Sequence, residues 1–346
     1  MKRIKGAARF AWRWIGPAVF VGLLWNTDMS QVREAWRHGR AGLLVAAAAL
    51  NAVIILVKAW RWRRLMQLQD IHYGYGPAVR YYAIGSAMAA WTPGRLGDFS
   101  KALAVHRDRK VGLGRAASSV IADRLLDAVA LAGVAAVGAA FLPGPNGIWL
   151  AAAGMVAMIV AAWFLFRTTR SGMGRRGAEK LVGRFGKIGT AGDEVGAALD
   201  GLVDLARPAL GTSVLLTVAA TLVTFLQGYL VARSLGINAS FWSMSVALAA
   251  VSITSLLPVT VAGFGTREGT LLLFLGPGGI HRHQIIAFSL AYFVIISGSL
   301  ALMGAAAWVM RPMLVAADDD AGRMAGAAGN ADTKAGAGAA VAQEKP

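Results

Sequence analysis

Three short stretches of the sequence place basic and acidic residues inside otherwise apolar segments. In chain order they are Arg95 and Asp98; Asp123, Arg124 and Asp127; and Arg267 and Glu268. A guanidinium group binds phosphate through paired hydrogen bonds, and a neighbouring carboxylate can hold the guanidinium while no ligand is bound. The sequence therefore predicts that these seven residues bind an anionic head group, with the carboxylates also able to carry protons.

A structural interpretation of the same residues is that each arginine forms a clamp with the acid beside it. The two interpretations are compatible, because one ion pair can both stabilise the fold and exchange partners. Charged residues inside membrane segments are costly and usually functional, and here they occur in three groups. This favours a functional role for the set as a whole.

The composition indicates what kind of chain positions these charges. Only 15% of the 346 residues are charged and 56% are hydrophobic, whereas soluble domains carry about 25% charged residues. Such hydrophobicity excludes a disordered chain, and the absence of cysteine excludes disulfide frameworks and thiolate metal sites. The 42 glycines and 11 tryptophans are typical of a membrane protein.

Long apolar runs predict an all-α membrane protein with six full transmembrane helices. A spanning helix needs about 20 apolar residues, and it must satisfy its own backbone hydrogen bonds within lipid. One 39-residue run contains a Pro-Gly-Pro-Asn-Gly turn and is divided into two helices. The predicted spans are 10–25, 41–60, 118–141, 147–166, 209–232 and 284–310.

Two further apolar stretches, 78–105 and 243–275, are interrupted and do not fit as simple spans. Proline and paired glycines break helices, and charged residues follow each interruption. The predicted breaks are Pro93, Gly94 and Gly97 in the first stretch and Pro258, Gly263, Gly265 and Gly269 in the second. We predict that each stretch is a re-entrant helical hairpin.

The distribution of basic residues sets the predicted orientation. With a cytoplasmic N-terminus, 28 lysines and arginines fall in cytoplasmic segments and 6 in external ones. Positive charge is retained on the cytoplasmic side, so both termini are expected there, in a bacterial-type inner membrane. The two hairpins then enter from opposite sides, and span–hairpin–span occurs twice as an inverted repeat. Broken helices in such repeats point to a transporter site near the midplane.

The domain organisation follows from the same pattern. Residues 1–312 form one transmembrane domain, with a cytoplasmic loop at 167–207, and the Ala- and Gly-rich residues 313–346 form a disordered cytoplasmic tail. The first span has a basic start but no small-residue cleavage site after it, so we interpret it as an uncleaved anchor.

Other motifs are weaker. The Trp-Arg-Trp-Arg-Arg stretch at 60–64 fits a membrane interface with anionic lipid contacts better than nucleic-acid binding. His281 and His283 have a metal-like spacing, but zinc requires three or four ligands, so no metal is predicted. There is no phosphate-binding loop and no nucleophile elbow, so neither an enzyme nor a cofactor is expected.

The motifs and their order resemble the flippase-like family that includes the transmembrane region of lysylphosphatidylglycerol synthases. The matching pieces are Pro-Gly-Arg-Leu-Gly-Asp at 93–98, Asp-Arg-x-x-Asp at 123–127, and Gly-Phe-Gly-Thr-Arg-Glu-Gly at 263–269 after Leu257-Pro258. The chain departs from the family in having Asp98 and Asp123 where Glu is frequent, and Val261-Ala262 where Pro-Gly is usual.

The resemblance implies a lipid translocator over roughly residues 10–310, without the soluble aminoacyl-transferase domain of the synthases. Relatives are associated with hopanoid, glycolipid and polyprenyl-linked sugar pathways. The expected function is a flippase-like transporter that moves an anionic or lipid-linked head group, passively or with ion coupling. The alternative is a non-transporting membrane component or an enzyme partner in lipid biosynthesis. Expected partners are membrane lipids and, under the alternative, such enzymes, with the oligomeric state left open.

Overall fold

The computed structural model describes Trp25 and residues 28–141, 210–255 and 265–310. All regular structure within these residues is helical, which confirms the predicted all-α class. The helices are α1 Met29–Arg37, α2 Ala41–Leu68, α3 Tyr75–Trp91, α4 Ser100–Arg109, α5 Leu113–Ala140, α6 Leu210–Ser234, α7 Phe241–Thr254, α8 Thr266–Leu275 and α9 Arg282–Met310, with 3-10 helices at Pro93–Phe99 and Gly276–Gly278. The predicted spans 10–25 and 147–166, the loop 167–207 and the tail lie outside the described residues.

Three of the helices are long and apolar enough to cross a membrane, namely α2, α6 from Gly211, and α9. Helix α5 is as long as α2, at 28 residues, but Asp123, Arg124 and Asp127 lie near its middle. Four of the six predicted spans therefore correspond to long helices. Helix α2 extends to Leu68, well past the predicted end at residue 60. The basic residues that follow residue 60 belong to the same helix.

Helix α1 was not expected from the sequence. Asp28 caps its N-terminus by accepting a hydrogen bond from the backbone N–H of Ser30 at 2.9 Å. An acceptor at this position satisfies one of the free N–H groups of the first turn. The helix packs on α9 through the buried Val32, and Trp36 Nε1 donates to the carbonyl of Ala287 at 3.3 Å.

One end of the helix bundle, which we call the Arg40 end, collects the start of α2 and the end of α6. The backbone N–H of Arg40 donates to the carbonyl of Ser234 at 3.0 Å. The ring of Phe141, directly after α5, stacks on Trp242 at the start of α7 with centroids 4.9 Å apart. The second hairpin therefore starts at the Arg40 end.

The opposite end, which we call the Tyr73 end, collects the loop after α2 and the end of α4. The hydroxyls of Tyr73 and Tyr81 both donate to Asp108 Oδ2, at 2.5 and 2.9 Å. Burial and the hydrogen bond to Asp108 raise the pKa of Tyr73. Arg63 Nε donates to the carbonyl of Tyr73 at 2.9 Å. The first hairpin therefore starts at the Tyr73 end.

The first hairpin folds back through the 3-10 helix Pro93–Phe99. Gly97 lies against α3 so closely that a Cβ there would be 2.3 Å from the carbonyl carbon of Met88. Its N–H donates to Thr92 Oγ1 at 2.8 Å, and Arg95 adopts a left-handed backbone with φ of 57°. Only glycine allows α3 and the turn to approach this closely.

The second hairpin consists of α7 and α8, which pack against each other and bring Thr254 Oγ1 to 3.3 Å from Thr270 Oγ1. Gly265 caps α8 with φ of 84°, in agreement with its predicted place at the break. Gly269 lies instead in the first turn of α8, where its N–H donates to the carbonyl of Gly265. The predicted breaks Pro258 and Gly263 lie outside the described residues.

The end of α3 and the start of α8 both contact α9 within its length. Trp91, at the end of α3, packs edge-on against Phe293 with centroids 5.5 Å apart. Arg267, in the first turn of α8, donates from Nε to Ser289 Oγ at 2.6 Å. Because α9 runs from Arg282 to Met310, both contacts lie well inside the helix.

The two largest of the four hydrophobic clusters among the described residues lie toward opposite ends of the bundle. One surrounds the second hairpin and includes Phe225, Met244 and Phe288, and the other surrounds the first hairpin and includes Trp62 and Val120. Each hairpin is thus packed into the half of the core nearest its own starting end.

Buried amides and small residues hold the long helices together. Asn51 Nδ2 donates to the carbonyl of Ile296 at 3.1 Å, and Gln227 Nε2 donates to the carbonyl of Ala47 at 2.6 Å. A Cβ on Gly304 would be 2.4 Å from the Cβ of Ala87, so α3 and α9 are in backbone-level contact. Small residues allow such approach between helices in membranes.

This contact predicts a difference between two glycines of α9. Gly304→Ala places a methyl group against Ala87, which cannot rotate away, and should cost about 1–3 kcal/mol of stability through overpacking. Gly298→Ala has open space and should be neutral or slightly stabilising. Thermal unfolding of the two variants in the same detergent measures the difference. Equal stability would contradict the packing of α3 on α9.

Candidate functional site

Arg61 of α2 is the centre of a buried ion-pair network. Its side chain is fully buried, and Nη2 lies 2.5 Å from Asp123 Oδ1 while Nη1 lies 2.7 Å from Asp127 Oδ1. Nη1 also donates to Thr217 Oγ1 of α6 at 2.8 Å. One guanidinium group therefore connects α2, α5 and α6.

The two carboxylates of α5 share one helix face, as their spacing of four residues predicts. Both accept hydrogen bonds from Arg61, and Asp127 Oδ2 also accepts from Lys58 Nζ at 2.8 Å. Lys58 and Arg61 are three residues apart and so share a face of α2. Each charge faces an opposite charge on the neighbouring helix, which offsets much of the cost of burying it.

Lys101 connects the first hairpin to this network. Its side chain is fully buried, and Nζ lies 3.4 Å from both Asp98 Oδ1 and Asp123 Oδ2. The ammonium group also lies 4.0 Å from the centre of the Tyr82 ring. Tyr82 in turn donates from its hydroxyl to Asp123 Oδ2 at 2.9 Å.

Asp98, at the tip of the first hairpin, is held by charge rather than by close hydrogen bonds. Its side chain is 1% exposed, and its carboxylate oxygens lie 3.3 Å from Arg124 Nη1 and 3.8 Å from Arg95 Nε. Neither oxygen accepts a hydrogen bond from the residues that the structure describes. Its cation partners are therefore less tightly engaged than those of Asp123 and Asp127.

Among the residues that the structure describes, the network carries more positive than negative charge. Its cations are Lys58, Arg61, Arg95, Lys101 and Arg124, and its anions are Asp98, Asp123 and Asp127. The two unbalanced charges attract an anion, and Arg95, whose side chain is 43% exposed, is the cation that an anion can reach most easily. The arrangement therefore favours the binding of an anion beside it.

The second hairpin carries a separate charged contact. Glu268 Oε2 accepts a hydrogen bond from the backbone N–H of Gly265 at 2.6 Å, and Oε1 accepts from Arg267 Nη2 at 2.8 Å. The Ser289 hydroxyl also donates to Glu268 Oε1. The arginine lies 5.3 Å from the centre of the Phe293 ring. Glu268 therefore caps α8 and orients Arg267, as expected for a structural clamp.

A cavity of about 160 Å³ lies where the hairpin tips approach α9. Described residues that line it are Ala89, Ala90, Thr92, Arg95, Leu248, Val251, Ser252, Ser255, Arg267, Tyr292, Phe293, Ile296, Ser297 and Leu300. Arg95 comes from the first hairpin and Arg267 from the second, so an arginine of each hairpin lines the same cavity. At about 30 Å³ per water, the space is large enough for a phosphate group.

The structure brings the seven predicted site residues into two groups. Arg95, Asp98, Asp123, Arg124 and Asp127 belong to the ion-pair network, and Arg267 pairs with Glu268. The cavity joins the groups, because Arg95 and Arg267 both line it. The other five predicted residues are not among the described residues that line the cavity. They pair with the arginines or with one another.

The sequence interpretation missed Arg61, Lys101 and Tyr82. Arg61 was assigned to an interfacial belt with its neighbours at 60–64, but it is fully buried, as is Trp62, whereas Arg64 is exposed. The sequence did contain a signal for Arg61. Lys58 and Arg61 are three residues apart and share a helix face, as Asp123 and Asp127 do on α5. A basic run at the end of an apolar segment hides this signal, because it also fits a membrane interface.

These features define a helical membrane protein with a charged network in its interior. The sequence model described as Lysylphosphatidylglycerol synthase TM region matches residues 13–304, and the chain belongs to that family. The family predicted from the motifs is thus confirmed, and membership indicates a membrane protein related to lipid handling. None of the curated proteins compared with the chain matches it.

The network predicts different effects for two arginines of the same segment. Arg61→Met leaves two buried carboxylates without their main partner and should lower the free energy of unfolding by about 3–5 kcal/mol. Arg64→Met removes an exposed charge and should change it by less than about 0.5 kcal/mol. Thermal unfolding in detergent compares the variants.

A double variant tests whether the loss comes from an unpaired charge. Adding Asp123→Leu to Arg61→Met removes one orphaned carboxylate, so the double variant should be more stable than the sum of the two single changes predicts. Strict additivity would contradict the pairing.

Proposed function

We propose that this protein moves the anionic head group of a lipid across the membrane through the cavity between its hairpin tips. The observation that carries the proposal is the convergence of Arg95 and Arg267, from different hairpins, on one cavity beside the middle of α9. The excess positive charge of the adjoining network supports an anionic rather than a cationic head group. The lipid tails would remain in the surrounding bilayer.

The proposal includes re-entrant hairpins that enter from opposite membrane faces. Support comes from the start of the first hairpin at the Tyr73 end and of the second at the Arg40 end, with tips meeting at α9. The 28-to-6 distribution of basic residues supports placing the Tyr73 end and both termini in the cytoplasm. The membrane concerned would be a bacterial-type inner membrane.

In this mechanism the network on α2 and α5 acts as a rigid base, to which Lys101 ties the first hairpin, and only the turns at the hairpin tips move. A phosphate that approaches Arg95 competes with Asp98, whose Oδ2 lies 3.8 Å from Arg95 Nε and whose two oxygens accept no hydrogen bond from described residues. Arg267 keeps its orientation through Glu268 while it contacts the same phosphate. The proposal includes no chemical step, and movement is passive or coupled to ions.

The first test removes the guanidinium groups. Arg95→Ala and Arg267→Ala should each reduce translocation of tail-labelled phosphatidylglycerol in proteoliposomes by at least about tenfold, the equivalent of one lost charged contact. Lysine at either position should restore only part of the rate, because an ammonium group lacks the bidentate fork. Arg233→Ala, which removes an exposed arginine at the Arg40 end, serves as the matched control and should retain the wild-type rate.

A structural clamp at Arg267 predicts a different pattern. A clamp tolerates loss of both partners better than loss of one, so Arg267→Ala with Glu268→Ala would recover activity together with stability. A head-group site stays inactive in the double variant even if its stability recovers. Transport in a stable double variant would refute the proposal and favour a non-transporting role in a lipid-biosynthesis complex.

The second test concerns sidedness. Single cysteines in this cysteine-free chain at Gly76 and Lys110, the two bases of the first hairpin, should be protected from an impermeant thiol reagent in intact cells. Cysteines at Asn238 and Gly278, the bases of the second hairpin, should react. If the two bases of one hairpin label from opposite sides, that hairpin crosses the membrane as a span.

A further inference from the structure

Lys101 is held in place from several sides. Its side chain is fully buried, and Nζ lies 4.0 Å from the centre of the Tyr82 ring and 5.7 Å from that of the Trp62 ring. A Cβ on Gly85 would be 2.7 Å from Lys101 Cγ, so the glycine of α3 leaves just enough room for the lysine stem. The ammonium group therefore has little freedom to move.

Asp98 shares its charge among three cations that differ in exposure. The distances from its carboxylate oxygens are 3.3 Å to Arg124 Nη1, 3.4 Å to Lys101 Nζ and 3.8 Å to Arg95 Nε. The side chain of Lys101 is 0% exposed, that of Arg124 is 25% exposed and that of Arg95 is 43% exposed. Arg95 is thus the cation that Asp98 holds most weakly and that can turn away most easily.

The departure of Arg95 does not leave Asp98 unpaired. A buried carboxylate without a cation is costly, so Arg95 could not leave if it were the main counter-ion. Lys101 cannot follow Arg95, and together with Arg124 it keeps the charge of Asp98 compensated. Arg95 can then transfer to another anion without creating an isolated buried charge.

The second carboxylate near Lys101 depends on it much less. Asp123 Oδ1 pairs with Arg61 Nη2 at 2.5 Å, and Oδ2 accepts from the Tyr82 hydroxyl at 2.9 Å, whereas Lys101 Nζ is 3.4 Å from Oδ2. The oxygens of Asp98 accept no hydrogen bond from described residues. Loss of Lys101 would therefore affect mainly Asp98, which would hold its remaining cations more tightly.

From this arrangement we infer that Lys101 is a positioning residue for the head-group site, because it balances Asp98 and so leaves Arg95 available to an arriving phosphate. Asp98 acts as an internal anion that occupies Arg95 while no head group is bound. Lys101 does not contact the head group and acts through Asp98 on Arg95. The inference deepens the proposed function and rests on it, since it requires that Arg95 binds the head group.

Changes at Asp98 and Lys101 should shift lipid affinity in opposite directions. Asp98→Asn preserves the shape of the side chain and removes the competing charge. The affinity for phosphatidylglycerol should therefore rise about threefold to tenfold, the scale of a few partly exposed charge contacts. Lys101→Met should lower the affinity by a similar factor, because Asp98 then holds Arg95 more tightly. Native mass spectrometry of the full-length protein, titrated with the lipid in detergent micelles, measures the apparent Kd.

The double variant separates a positioning role from a general loss of positive charge. If Lys101 acts through Asp98, Lys101→Met has no further effect once Asp98→Asn is present, and the double variant binds as tightly as Asp98→Asn alone. If Lys101 only adds to the field that attracts the lipid, its removal lowers the affinity by the same factor in both backgrounds. The second result would overturn the inference.

Two exposed residues at the Tyr73 end provide matched controls. Lys110→Met and Asp70→Asn make the same chemical changes away from Asp98 and should leave the affinity unchanged. Thermal unfolding checks each variant, because Lys101→Met removes a buried charge. If Lys101→Met does not fold, the isosteric Asp98→Asn decides alone, and an unchanged or lower affinity of that folded variant overturns the inference.

The same series distinguishes this inference from the proposed function. Wild-type affinity in Arg95→Ala would refute the head-group site and the inference with it. Lower affinity in Arg95→Ala, with Asp98→Asn also lower, would overturn only the role of Lys101. The expected opposite shifts in a protein that moves no labelled lipid would uphold the role of Lys101 while refuting translocation.

Discussion

The burial of Arg61 between Asp123 and Asp127 is the constraint on which the rest of the structure depends. A guanidinium group without contact to water must have acidic partners at hydrogen-bond distance, and these partners lie on a different helix. This fixes the rotation of α2 and α5 relative to each other. The same carboxylate of Asp123 receives Lys101 and Tyr82, so it also fixes the first hairpin against α5.

Two parts of the ion-pair network differ in how tightly their charges are paired. Around Arg61 the acids are close, hydrogen-bonded and enclosed, which makes a rigid support. Around Asp98 the cations are at 3.3–3.8 Å and Arg95 is 43% exposed, which leaves the pairing open to exchange.

Much of the fold follows from the sequence, because hydrophobic length and helix-breaking residues act locally. The apolar runs predict α2, α5, α6 and α9, and the Pro-Gly break at 93–94 predicts the first turn. The partners of Asp123 do not follow, because they depend on which faces of distant helices meet. Arg61 has the sequence context of an interfacial residue, and only packing against α5 and α6 shows that it is buried. The convergence of Arg95 and Arg267 likewise required the positions of both tips along α9.

The contact between Ala87 and Gly304 has a consequence for biogenesis. The first hairpin is synthesised early, but the helix that covers its small-residue face follows more than 200 residues later. At about 5–20 residues per second this face waits for about 10–40 s at the ribosome before α9 emerges. During that interval Asp98 at the tip can already pair with Lys101 and Arg124, but the small-residue face around Ala87 lacks the helix that packs on it in the folded protein. Completion of α9 is therefore the step that commits both halves of the chain to a single fold.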